Sequence, residues 1–235
     1  MQKKYWSVIS AFSLLLAASL VITLIRIILF DYILKISYNN SLELFDIAKT
    51  LDLFLYWVVI FLLIRIKKTS FSEYLNLKSV SFSTIIKWIG ITLLFLMMLS
   101  IVSWILTGKV LATKNPFISH FSWRLVIIDA IFSIIIAPAS EEMIWRGFLF
   151  KSIEHSKLGK IGAILITAFL FMLIHVDISL NVFKLGLWIG VLPVGLLCGI
   201  ARAKTQSIFI GMGIHAIYNS YLTLYDIIQA ISYHK

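Results

Sequence analysis

Apolar residues run through this chain in long blocks separated by short polar breaks. A soluble helix or strand would show one polar face; these blocks mostly show none. A helix needs about 20 mostly apolar residues to cross a bilayer. About seven stretches come close: Trp6 to Phe30, Leu51 to Ile66, Ile85 to Leu106, Leu125 to Phe150, Ile161 to Val176, Val182 to Ala201, and Ile208 to about Tyr225. They predict an all-α fold, a polytopic membrane helical bundle of about seven transmembrane helices. Residues 1–235 are read as a single integral membrane domain, with the chemistry-bearing core at about 125–225. The first block follows Lys3 and Lys4 as a signal peptide would. Its apolar run exceeds the ~7–15 residues of a signal core, so an uncleaved anchor is expected. The breaks predict two larger connections. Lys67 to Thr84 is a Ser- and Lys-rich linker, and Asp31 to Thr50 is an opposite loop with room for a short interfacial helix.

Composition fits lipid as the main solvent. Hydrophobic residues make up 60% of the 235 and charged residues 14%, against about 25% charged in soluble domains. Mean hydropathy is +0.98. The net charge of +10 has an explanation that needs no nucleic acid. If the N-terminus is cytoplasmic and the spans alternate, 13 of the 21 Lys and Arg residues fall on the cytoplasmic side and 8 on the other. That is the positive-inside pattern. The expected location is therefore a cell membrane, crossed many times, with the N-terminus in the cytoplasm. The single cysteine, Cys198, allows no internal disulfide.

A charge inside a span costs about 2.5–3.5 kcal/mol even on the lenient insertion scale, and most charges here avoid it in loops or at span ends, with five clear exceptions. They are Glu141, Glu142, Arg146, His175 and His215. Glu142 and Arg146 are four apart on a helix, in the favourable order for an ion pair. Glu141 points about 100° away and is left available. A structural ion pair alone accounts for Glu142 and Arg146 but leaves Glu141 without a partner. Phe171 lies one helical turn before His175, on the same face, and His215 shares a face with Asn219. Gly211 and Gly213 leave room for a neighbouring helix. Taken singly, each histidine also fits an interhelical hydrogen bond. Counted from the cytoplasmic ends at ~1.5 Å per residue, Glu141 and His215 lie roughly 15 Å deep and His175 nearer 24 Å. Pro138 predicts a break in the fourth span.

The blocks E-E-x-x-x-R, F-x-x-x-H and H-x-x-x-N, in this order between Ile135 and Tyr221, resemble the CPBP (CAAX protease and bacteriocin-processing, or Abi) family, which includes the type II CAAX prenyl endopeptidases. The resemblance implies an intramembrane endopeptidase. Glu141 would act as the base that activates water, assisted by His175; His215 and Asn219 would donate hydrogen bonds to the oxyanion. Glu142, Arg146 and Phe171 would support them. The implied partners are the lipid bilayer and a membrane-associated or lipidated peptide, and for a bacterial member the implied roles are processing of bacteriocins or signalling peptides, and self-immunity. No cofactor is required in the preferred mechanism. Zn²⁺ held by Glu141, His175 and His215 is the alternative, since a carboxylate and two imidazoles leave an open fourth position, although the H-E-x-x-H pattern is absent. A non-catalytic scaffold or immunity protein is the competing function. Transport ranks below both, because no paired repeats of broken helices are visible.

Overall fold

The computed structural model describes residues 4–37, 41–108, 115, 117–118, 121–176 and 187–234. Its helices are α1 (Val8–Leu34), α2 (Leu42–Ile66), α3 (Phe71–Leu75), α4 (Phe82–Thr107), α5 (Trp123–Glu154), α6 (Gly159–Leu173), α7 (Trp188–Thr205) and α8 (Ile208–Tyr233). Serine opens six of them. The hydroxyls of Ser7, Ser41, Ser70, Ser81, Ser122 and Ser207 each accept a hydrogen bond from a backbone N–H two or three residues on. Each satisfies a donor that the first helical turn leaves open. Left-handed residues close four: Lys35 (φ 53°) after α1, Asn76 (φ 56°) after α3, Gly108 (φ 69°) after α4 and Gln206 (φ 54°) after α7.

Helices α1, α2, α4, α5 and α7 are long and apolar enough to cross a membrane. Helix α6 is apolar but has only 15 residues, about 22 Å at ~1.5 Å per residue. Helix α8 has 26 residues, and its buried stripe includes His215 and Asp226. These seven correspond to the seven apolar blocks, and α3 sits in the linker. Among the described residues there is no strand. The predicted start of the sixth span at Val182 lies outside the described residues, as do Lys3, Lys109, Lys114, Lys184 and Lys235.

Three expectations change. The segment Asp31 to Thr50 is not a loop with an interfacial helix: α1 runs on to Leu34 and α2 begins at Leu42. Average hydropathy conceals this start because Asp46, Lys49 and Asp52 turn inward; Asp46 is only 3% exposed. Pro138 does not break the fourth span. Residues Ile131–Ile136 take π-helical pitch, with the Ala137 N–H bonded to the Phe132 carbonyl, and Pro138 begins the next α-helical stretch. A second π-helical stretch, Met143–Leu149, follows Glu142. Such stretches let a helix carry an extra residue and often accompany functional sites. The linker, too, is more ordered than its composition suggests, since Tyr74 and Leu75 are fully buried.

The helices alternate in direction. At the end that holds the N-terminus, Trp6 donates its indole N–H to the Leu63 carbonyl and Ser207 donates to the Lys78 carbonyl. At the other end Arg124 pairs with Glu43 at 3.1 Å. Asn76 ties the linker to two helices: its carbonyl accepts from the Lys151 ammonium, and its amide donates to Gln206, each at 3.2 Å. Behind it, Tyr74 stacks on Phe148. One apolar cluster joins α1, α2, α3 and the Met143–Ile153 stretch of α5; a second joins α4, α7 and α8. The site lies where α5, α6, α7 and α8 meet.

Asn76→Ala strips a buried ammonium of its acceptor and forces a Cβ-branchless but non-glycine residue to keep φ 56°. We expect a loss of about 2 kcal/mol, a fall in Tm of about 4–8 °C. Thermal unfolding in detergent checks this; an unchanged Tm would show that the Asn76 contacts contribute nothing.

Candidate active site

Arg146 organises the site. It is fully buried, and its Nη1 donates to Glu142 Oε1 at 2.8 Å, a charge pair with both side chains 0% exposed. Its Nη2 donates to the Gly195 carbonyl at 2.9 Å, which attaches α5 to α7. The guanidinium carbon lies 4.7 Å from the centroid of the Phe171 ring, which attaches α6. From the other side, Arg202 Nε donates to the backbone carbonyl of Arg146 at 3.1 Å. Close approach requires glycine at two points. A Cβ on Gly195 would stand 3.2 Å from Arg146 Nη2 and 3.3 Å from the Ala168 backbone, and one on Gly211 would stand 2.7 Å from Glu142 Oε2. The expected room at Gly211 is therefore used by a carboxylate. Gly213 faces open space instead.

Next to this hub, His215 lies between the two glutamates. Its Nδ1 is 3.5 Å from Glu142 Oε1 and its Nε2 is 3.9 Å from Glu141 Oε2. The Phe171 ring meets the His215 ring edge-on at 5.3 Å and the His175 ring at 4.7 Å. One aromatic ring thus contacts both histidines and the arginine. Glu141 is oriented differently from its neighbour. It is 18% exposed and lines a cavity of about 460 Å³ bounded by α1, α2, α5 and α6. Among the described residues no group donates a hydrogen bond to its Oε2. The geometry thus has one glutamate locked in an ion pair and the other facing a cavity.

Two of the predicted residues are placed less directly. His175 lies just past the end of α6, is exposed, and has its Nδ1 2.8 Å from the Phe171 carbonyl. No hydrogen bond or ion pair joins it to Glu141 among the described residues; its link to the cluster is the Phe171 ring. Asn219 donates one amide hydrogen to the Ser133 carbonyl at 2.6 Å, in the first π-helical stretch of α5. That leaves its second N–H for another acceptor. Among the described residues no three His, Cys, Asp or Glu side chains gather into a group able to hold a metal ion. Glu141 and His215 face each other, and His175 holds its Nδ1 against its own helix, which leaves its Nε2 as the nitrogen able to act as ligand or base.

The cavity also contains polar residues that the sequence reading assigned to loops or span ends. Arg26 from α1 and Lys49 and Asp52 from α2 line it with Glu141. Arg26 Nη1 and Asp52 Oδ2 pair at 3.3 Å. A signal for them exists in the sequence: Asp46, Lys49, Asp52 and Tyr56 recur every three or four residues, a polar stripe on an otherwise apolar helix.

Arg146→Met would leave the Glu142 carboxylate buried with its main partner gone, at a cost of about 3–5 kcal/mol. The double variant Glu142→Gln/Arg146→Met removes both charges, and we expect it to be more stable than Arg146→Met alone. Thermal unfolding of the three proteins in detergent measures this; equal stability of single and double variants would mean that the pair is not coupled.

This arrangement has a counterpart among known families. No curated protein and no solved structure matches the chain, but a family model does. Residues 121–221 match the family described as type II CAAX prenyl endopeptidase Rce1-like. The match runs from the start of α5 past Asn219 and includes every residue of the three motifs. Residues 121–221 are therefore similar to the Rce1-like family, in keeping with the CPBP family that the motifs resemble.

Proposed function

We propose that this protein hydrolyses a peptide bond within the membrane by activating water on Glu141. The observation that carries the reading is the position of Glu141: its carboxylate lines the cavity, its Oε2 receives no hydrogen bond from the described residues, and His215 faces it at 3.9 Å. The match to the Rce1-like family supports the reaction class. A carboxylate within reach of a bound water accepts its proton as the hydroxide attacks the peptide carbonyl. The carbonyl oxygen gains a full negative charge, and N–H groups aimed at that position stabilise it. His215 and the second amide hydrogen of Asn219 supply those donors. Protonated Glu141 then returns its proton to the amine as the C–N bond breaks. His175, beyond Phe171, assists from the rim. Glu142 and Arg146 act through position: their ion pair fixes the helix on which Glu141 sits and holds the Nδ1 side of His215.

The substrate in this proposal is a short membrane-associated or lipidated peptide. The cavity wall supports it, since Phe12, Leu15, Leu16, Ile144 and Leu170 present apolar surface beside Glu141. No Zn²⁺ takes part in the proposed step. Cleavage of quenched fluorescent peptides, some lipidated, by purified protein in detergent tests both points. Glu141→Ala is expected to lower the rate at least about 10²–10⁴-fold, with chelator-treated wild type unaffected. Normal cleavage by Glu141→Ala would end the proposal. Loss on chelation with rescue by Zn²⁺ would replace its mechanism with a metal-dependent one. Failure to cleave any peptide would favour the scaffold or immunity role.

A further inference from the structure

The cavity beside Glu141 has a second polar end that the hydrolytic step does not use. Along α1 its lining extends from Phe12 to Arg26, about 21 Å at ~1.5 Å per residue. An extended peptide covers that length with about six residues. The walls near Phe12, Leu16 and Trp145 are apolar; Arg26, Lys49 and Asp52 stand together farther along. Arg26 and Asp52 offset each other through their 3.3 Å contact. Lys49 does not share in that pairing. Among the described residues it makes no hydrogen bond or ion pair; its ammonium lies 5.5 Å from the centroid of the Phe45 ring. Its charge acts on the same space as those of Arg26, Asp52 and Glu141. Among the described residues Lys49 is therefore the one basic residue of this lining outside the Arg26–Asp52 pair, and it balances the charge of the proposed base, Glu141, on the same lining. An ammonium at this depth is costly, and the apolar wall would pack as well around a methionine.

We infer that Lys49 is a specificity-determining residue that receives a carboxylate of the bound peptide, so that the bond presented to Glu141 is set by its distance from that negative charge. The inference rests on the hydrolytic reading above and deepens it. A charge-assisted hydrogen bond to a carboxylate is shorter and stronger than a neutral one, and in a lipid-walled cavity few other groups compete for it. Arg26, held by Asp52, lines the same end but is offset by that contact. Two sources supply this chemistry: the peptide's C-terminal carboxylate, or an acidic side chain a few residues beyond the cleaved bond. All three polar residues lie on α1 and α2, outside residues 121–221. The preference would thus belong to this chain's N-terminal helices.

The test uses one apolar fluorescent peptide in three forms: a free C-terminal acid, a C-terminal amide, and an amide with glutamate substituted beyond the cleaved bond. Wild-type protein is expected to cleave one carboxylate-bearing form with kcat/KM about tenfold above the plain amide, mainly through KM. Preference for the free acid assigns the terminal carboxylate; preference for the glutamate form assigns the side chain. Lys49→Met should bring the ratio toward one, and Lys49→Arg should restore it. A merely structural role for Lys49 would lower all three rates together and leave the ratio unchanged. Equal cleavage of all forms by wild type overturns the inference without any variant, so a poorly folding Lys49→Met does not leave it undecided. A wild-type preference that survives in Lys49→Met overturns it too. In each of these cases the hydrolytic reading stands; absence of cleavage of every peptide overturns both.

Discussion

The Arg146 guanidinium is the point on which the bundle's interior depends. It is a full charge with no exposed surface, and such a charge is retained only where partners offset most of the cost of removing it from water. Glu142 is one, the Gly195 carbonyl a second and the Phe171 ring a third. Those three partners come from α5, α7 and α6. Once they are in place, the rest of the site has little freedom. Glu142 needs Gly211 beneath it, which brings α8 close and carries His215 to the carboxylates. Phe171 cannot lie against Arg146 without also meeting His215 and His175. The arrangement of the site is thus a consequence of burying one arginine.

The same constraint explains the unusual pitch of α5. Two acidic residues in succession point about 100° apart on a regular helix. Here the first faces the cavity and the second faces the interior, on a stretch bracketed by π-helical segments. The segment before Pro138 accommodates the missing proline N–H without breaking the helix, and its Ser133 carbonyl takes the Asn219 amide. A helix broken at Pro138 would have exposed backbone groups to lipid, where they find no partner. π-Helical pitch keeps them bonded and still turns the helix.

How much of this was legible in the sequence follows from what each signal measures. The apolar blocks revealed the spanning helices because lipid requires whole runs of apolar residues, and the three motifs revealed their residues because charges stand out in such runs. Helical spacing sufficed for the contacts inside one helix, Glu142 with Arg146 and Phe171 with His175. It did not suffice for α2, whose Asp46, Lys49 and Asp52 lowered the average hydropathy and shifted its start to Leu51, although their spacing put them on one face. Hydropathy averages over faces, so an inward polar stripe reads as a loop. Depth counting set His175 about 9 Å deeper than His215. In the structure the Phe171 ring spans between them, a contact between helices that no single-helix period encodes.

The motif residues alone do not make an enclosed site. Residues 121–221 are the part that matches the Rce1-like family model, yet the cavity that Glu141 faces is walled on two sides by α1 and α2. A peptide bond in lipid has no water to attack it and no fixed orientation; both have to come from a polar compartment closed off from the acyl chains. Helices α1 and α2 close that compartment here, with Phe12, Leu15 and Ile22 on the apolar side and the Arg26–Asp52 pair on the polar side. The division of labour is physical. The motif helices are held in one geometry by the Arg146 network, while α1 and α2 meet them across the cavity, through the apolar cluster around Ile144 and Phe148, and where α2 packs along the Trp123–Glu142 part of α5. Substitutions on the cavity face of α1 and α2 therefore act on the lining of the compartment rather than on the partners of Arg146, which come from α5, α6 and α7.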